Sequence, residues 1–157
     1  MGGRDVLLDG AHNPAGAAAL AIALDDLRPH LSDGPMTLLT ASMMDKDVDG
    51  VVSALARSAS MAGATVVCTS LDLPRAMPAG ALAGRWTHGL DAVAVPGAGP
   101  RVRVLEEADP IAALERALAG PGTGPIVVAG SLYLVGAIRS HLIDDPDLRD
   151  PDPTEDR

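Results

Sequence analysis

The sequence is almost without aromatic residues: no phenylalanine, one tryptophan (Trp86) and one tyrosine (Tyr133). Apolar residues still make up 47% of the chain, too much for a disordered polymer. Its core must therefore be packed from Ala, Val, Leu, Ile and Met. A single cysteine, Cys68, excludes an internal disulfide framework and gives no metal pattern. Positive charge is scarce as well, with 12 Lys and Arg against 21 Asp and Glu, a net charge of −9. No basic patch is interleaved with aromatics, so nucleic acid is not an expected partner. No apolar run is long enough to span a bilayer and the start is no signal peptide. No membrane partner is expected, and a cytoplasmic protein is the simplest expectation. Gly-x-x-x-x-Gly-Lys-Ser/Thr, Gly-x-Gly-x-x-Gly and Gly-x-Ser-x-Gly are all missing. The four histidines (His12, His30, His88, His141) have no metal-ligand spacing. On its own residues the chain reads as a binding half-site, not as a complete active site.

What is present begins near the start. Val6-Leu7-Leu8 is a short apolar run suited to a buried parallel strand. Asp9 ends it, and Gly10-Ala11 permits a tight turn. Asn13 is a good N-cap, and Pro14 fits the first helical position. The Ala- and Leu-rich residues that follow form helix readily. A carboxylate (Asp9) and an imidazole (His12) thus stand where a strand ends, beside the free N–H groups of a helix N-terminus. Open α/β sheets bind ligands, anions in particular, at such places. The same two residues would equally serve to cap the turn and the helix.

The rest of the chain alternates in kind. Strands are expected over Met36–Ala41, Ala64–Thr69, Arg101–Leu105 (an edge strand) and Pro125–Ala129. Helices are expected over Pro14–Arg28, Val48–Met61, Pro78–Gly89, Pro110–Ala119 and from Ser131 to Leu142. Trp86 and His88 read as packing or surface residues, and Cys68 as a small buried apolar residue. Lys46, the only lysine, lies between Asp45 and Asp47. It is either a solvated side chain between capping acids or a cation facing a ligand cleft. The pattern implies an α/β, Rossmann-like, doubly wound and mostly parallel sheet of about five or six strands with helices on both faces. The chain length suits one domain, 1–143. Residues 144–157 carry seven acids and two arginines and read as an acidic, Pro-rich disordered tail.

Leu8-Asp9-Gly10-Ala11-His12-Asn13-Pro14 resembles the signature of folylpolyglutamate synthases, many of which are also dihydrofolate synthases, within the Mur ligase superfamily. Met44-Asp45-Lys46-Asp47, Leu73-Pro74-Arg75-Ala76 and Gly130-Ser131-Leu132-Tyr133-Leu134-Val135-Gly136 resemble further segments of that family, in its order. The resemblance covers about residues 5 to 143. It implies the C-terminal domain of an ATP-dependent ligase that joins L-glutamate to a folate or dihydropteroate carboxylate through an acyl phosphate. It also implies a partner: an N-terminal P-loop ATPase domain holding ATP phosphates, Mg2+ and folate, over which this domain closes. The metal ligands are expected there, with none on this chain, and this chain alone is expected to be inactive.

By the same resemblance, Asp9 matches an ATP-contacting aspartate. His12 matches a histidine associated with ATP and glutamate use, able to donate to a carboxylate or phosphate oxygen. Ser131 matches a glutamate-linked serine. Lys46 and Arg75 would act electrostatically towards glutamate or phosphate. The family's upstream Pro-Gly-Arg arginine has no counterpart here, since Arg4 is too close to Asp9. The alternatives are another Mur-type amide ligase domain and a non-catalytic binding domain of the same fold.

Overall fold

Period-two alternation along the strands divides the molecule into two cores. In the computed structural model, which describes residues 3–94, 96–97 and 99–143, the strands are β1 (Val6–Leu8), β2 (Thr37–Thr40), β3 (Thr65–Cys68), β4 (Arg103–Glu106) and β5 (Ile126–Ala129). Leu38, Val66, Cys68 and Val127 point to one face, Leu39, Val67, Ile126 and Val128 to the other. Between them run α1 (Pro14–Leu27), α2 (Val48–Ala56), α3 (Ala79–Val93), α4 (Pro110–Ala119) and α5 (Leu132–Leu142). Helices α1, α2 and α3 cover the first face through Leu20, Leu24, Val52, Leu55, Leu82 and Trp86. Helices α4 and α5 cover the second through Leu114, Leu134 and Ile138. Each such Val, Leu or Ile contributes roughly 1.5–3 kcal/mol by leaving water.

All five strands are parallel, in the order β1-β5-β2-β3-β4. This is the doubly wound architecture expected, with five strands. The last strand inserts between the first two. β4 is an edge, as expected, but it starts two residues later than its alternation suggested.

Side-chain caps start three helices, as anticipated for the first two. Asn13, Asp47 and Asp109 accept from the N–H groups of Gly16, Gly50 and Ala112 at 2.8, 2.9 and 2.7 Å. Three helix ends differ from expectation. α1 stops at Leu27, and Arg28–His30 continues as a 3-10 turn that accommodates Pro29. α2 stops at Ala56 instead of Met61, and the chain restarts as a 3-10 turn over Ala59–Met61. The cause is non-local. Asp25 on α1 accepts from the Ser58 and Ser60 hydroxyls at 2.6 and 2.7 Å and from the Ser60 N–H at 2.9 Å. That anchor outweighs local helix propensity. α3 runs four residues past Gly89. A Cβ there would collide with Val52 on α2, so this glycine serves helix packing and not termination. The acidic tail expected at 144–157 lies outside the described residues.

Candidate ligand-binding rim

Parallel strands all end on one side of the sheet, so the loops after β1, β2, β3 and β5 share a rim. The chain leaves β1 and β2 for helices on one face and leaves β5 for α5 on the other. Such a reversal opens a crevice at the strand ends. The loops after β1 and β5 are stitched together. Asp9 N–H donates to Val128 O at 3.0 Å, and Gly130 N–H donates to Ala11 O at 2.8 Å. Gly10 admits Leu132 so closely that a Cβ would lie 2.5 Å from its Cδ2. Gly130 has φ +104, a conformation that favours glycine, and a Cβ there would lie 2.5 Å from Ala41 O. Asp9, His12 and Ser131 therefore occupy one rim despite their sequence separation.

Their hydrogen bonds show what each still has to offer. Asp9 Oδ1 accepts from Ala11 N–H at 2.8 Å, closing the turn and leaving Oδ2 for other donors. His12 Nδ1 lies 2.8 Å from Gly10 O. A carbonyl oxygen only accepts, so Nδ1 carries the hydrogen. In the neutral ring Nε2 is then a bare acceptor; it donates only as imidazolium. The donor role expected for His12 thus holds only for its charged form. Ser131 is 3% exposed, stands at the N-cap of α5, and makes no cap bond with its hydroxyl. A cleft of ≈ 400 Å³ is lined by Asp9, His12 and Asn13 and runs along Gly16, Ala19 and Ala23 of α1.

Lys46 and Arg75 lie further along the rim. The β2–α2 and β3–α3 loops pair through Met44 N–H to Arg75 O and Met77 N–H to Ser42 O, both 2.8 Å. Arg75 is engaged with Asp45 at 2.9 Å, with both side chains exposed; such a pair contributes about 0–1 kcal/mol. Lys46 is exposed and makes no ion pair among the described residues. The start of α2 adjoins that of α1, since a Cβ on Gly50 would lie 2.6 Å from Pro14 Cγ. Lys46 and His12 therefore sit on neighbouring loops.

Other candidates lie away from the rim or are buried beneath it. Arg4 is at the opposite end of the sheet, donating to Gly124 O and Ala117 O at 2.6 and 2.7 Å, and burial lowers its pKa. Trp86 is buried and His88 exposed. His141 faces Glu115 across α5 and α4 at 3.9 Å. Burial, helped by Glu106, pushes the Cys68 thiol up to about 12, which fits an inert core residue. One rim group had no sequence signal. Thr40 ends β2 with its hydroxyl against Gly130, and a Thr in a strand reads simply as strand propensity.

Comparison with known proteins places this rim in context. The family model described as dihydrofolate synthetase, C-terminal domain, matches residues 3–141. Mycobacterium tuberculosis folylpolyglutamate synthase, solved with ADP and AMPPCP, aligns at 30% identity and TM-score 0.63 over 94% of this chain and 30% of its own. Escherichia coli FolC, solved with DHPP and ADP, aligns at 20% identity and TM-score 0.69 over 87% of this chain and 28% of its own. The Yersinia pestis bifunctional folylpolyglutamate synthase/dihydrofolate synthase, solved with Mn, AMPPNP and L-glutamate, aligns at 24% and TM-score 0.66, with the same coverage. The last two likenesses speak for the fold. The chain spans less than a third of the length of each. No curated protein matches.

Proposed function

The chain belongs to the dihydrofolate synthetase C-terminal domain family, and from that premise we propose that residues 1–143 form one domain of an ATP-dependent amide ligase. The ligase joins L-glutamate to a folate or dihydropteroate carboxylate through an acyl phosphate, and it works in the cytoplasm. The observation that carries this reading is the joining of the β1 and β5 loops by the Gly130 N–H to Ala11 O bond. It puts a carboxylate, an imidazole and an uncapped helix start on one rim.

In this reading Asp9 Oδ2 accepts hydrogen bonds from the nucleoside of ATP. Ser131 and the first N–H groups of α5 hold a carboxylate of glutamate. His12, neutral and held through Nδ1, accepts a proton at Nε2 from the glutamate ammonium. The freed amine attacks the acyl phosphate carbon, the amide C–N bond forms as the C–O bond to phosphate breaks, and the nitrogen's second proton leaves with the phosphate. Lys46 raises the local positive potential for anionic substrates, with Arg75 a secondary contributor. The γ-phosphate grip lies on a partner ATPase domain, against which this rim closes. Among the described residues no group of three or more His, Cys, Asp or Glu side chains is placed to hold a metal ion. The Mg2+ that would screen the ATP phosphates is assigned to the partner domain. Among those residues, too, no helix is long and apolar enough to cross a membrane.

The test is a coupled assay for ADP release with dihydropteroate or folate and L-glutamate. The chain alone should give no turnover, and a P-loop domain of the family added in trans should restore it. Robust turnover by the chain alone would refute the divided site. No restoration by any such domain, with the fold intact, would favour a non-catalytic binding domain.

A further inference from the structure

Two hydroxyls at the rim are idle although their residues are buried. Thr40 and Ser131 are each 3% exposed. Neither hydroxyl forms a hydrogen bond within the described residues, whereas the neighbouring Thr69 hydroxyl donates to Ala108 O at 3.1 Å. No fully enclosed side-chain N or O among those residues lacks a partner. Each idle oxygen therefore keeps some exposure at the carboxyl end of β2 and β5.

Both flank one glycine. Thr40 is in register with Ala129, and a Cβ on Gly130 would lie 2.5 Å from Thr40 Oγ1. Ser131 follows Gly130 and begins α5, whose first N–H groups lack a side-chain cap. A buried hydroxyl that bonds nothing in the protein costs stability unless something else satisfies it. Here Thr40 and Ser131 flank Gly130 at the start of α5, whose N-terminus has no side-chain cap and favours an anionic acceptor.

We infer that Thr40 is a substrate-binding residue, its hydroxyl donating beside that of Ser131 to one carboxylate of the amino-acid substrate. This rests on the reading of the rim given above and adds a residue to it. Thr40 reaches the site from β2, so the carboxylate is held between two strands, and its position follows the packing of β5 against β2. A planar carboxylate offers two oxygens, enough for both hydroxyls and an α5 N–H at once.

The test is a 1H–15N titration of the chain with L-glutamate, followed at Gly130, Ser131, Leu132 and Tyr133. Thr40→Val removes the hydroxyl at constant shape and should weaken binding about ten-fold. Thr40→Ser restores a hydroxyl and should stay within about three-fold of the parent. Ser131→Ala should weaken binding similarly, and the two losses should not add, because both donors serve one carboxylate. Thr40→Val binding like the parent while Ser131→Ala loses affinity would overturn the role of Thr40 and leave the rim reading standing. Equal losses in Thr40→Val and Thr40→Ser would mark a packing effect and also overturn it. Inorganic phosphate binding with the same Thr40→Val sensitivity would overturn the carboxylate assignment. No response to glutamate in the parent would remove the rim reading and the inference together.

Discussion

The two ends of the sheet treat their polar groups differently. At the amino end, hydrogen bonds are consumed internally. Arg4 ties the entry to β1 to Gly124 and Ala117. Asp5 Oδ2 accepts from Ser32 N–H at 2.6 Å, and Arg28 donates to Ser32 O and Gly34 O. Asp25 gathers Ser58, Ala59 and Ser60. At the carboxyl end, capacity is left over. Among the described residues, one oxygen of Asp9, one nitrogen of His12 and the hydroxyls of Thr40 and Ser131 have no internal partner. Spare capacity of this kind costs little while water reaches it, and its concentration at one end separates the part that holds the sheet together from the part proposed to meet a ligand.

The sharpest way to break that contrast is His12→Ala in the reconstituted ligase. Loss of a proton acceptor should lower turnover about 100-fold or more. The fold should lose under about 1 kcal/mol, the worth of one hydrogen bond to Gly10 O. Kinetics and thermal melting read the two separately. Parent-like turnover with a lowered melting temperature would return His12 to a purely capping role.

The converse experiment is Arg4→Met. It leaves the Gly124 and Ala117 carbonyls without their donor at a half-buried place. Stability should fall by about 2 kcal/mol, measured by urea unfolding, while glutamate binding is unchanged. A large loss of affinity in a folded Arg4 variant would mean that the two ends are coupled.

Asp25 sharpens the contrast through pH. Burial of its carboxylate works to raise the pKa, but hydrogen bonds from the Ser58 and Ser60 hydroxyls and the Ser60 and Ala59 N–H groups outweigh it and hold the pKa below its ordinary value. A lowered folded pKa stabilises the fold fully above the unfolded value, about pH 4, and that part is lost as pH falls through the folded value. Asp25 is exposed, so the effect is discounted for solvent screening. Asp25→Asn should cost about 1 kcal/mol at neutral pH and flatten the acid limb of the stability profile. An unchanged acid limb would show that the clamp is not charge-linked.

Local signals were legible in the sequence and non-local ones were not. Asn13-Pro14 and Asp109-Pro110 announce helix starts because cap and first turn are decided by adjacent residues. Apolar strands alternating with helices announce a sheet covered on both faces. The insertion of β5 between β1 and β2 has no local signature, since pairing partners lie about 120 residues apart. The early end of α2 depends on Asp25 from another helix. Gly89 reads as a terminator until Val52 is seen beside it. Asp9 and His12 stand out at the end of a strand beside a helix start, and with Ser131 they are proposed because their motifs resemble a family. Thr40 carries no such signal, because its place against Gly130 depends on a different strand.

The smallest effects test where the rim ends. Arg75 is already paired with Asp45, whereas Lys46 makes no ion pair among the described residues. Arg75→Met should change stability by less than about 0.5 kcal/mol, the usual worth of an exposed pair, and glutamate affinity hardly at all. Lys46→Met removes a solvated charge from the loop that adjoins the start of α1 and should weaken glutamate binding about two- to three-fold. That loss should shrink as salt rises to 0.5 M, because the attraction acts through water and is screened. If Arg75→Met proves the more damaging, the Asp45 pair opens when ligand binds. Arg75 would then belong to the ligand-facing set, and spare bonding capacity in the free chain would be an incomplete guide to which rim residues are used.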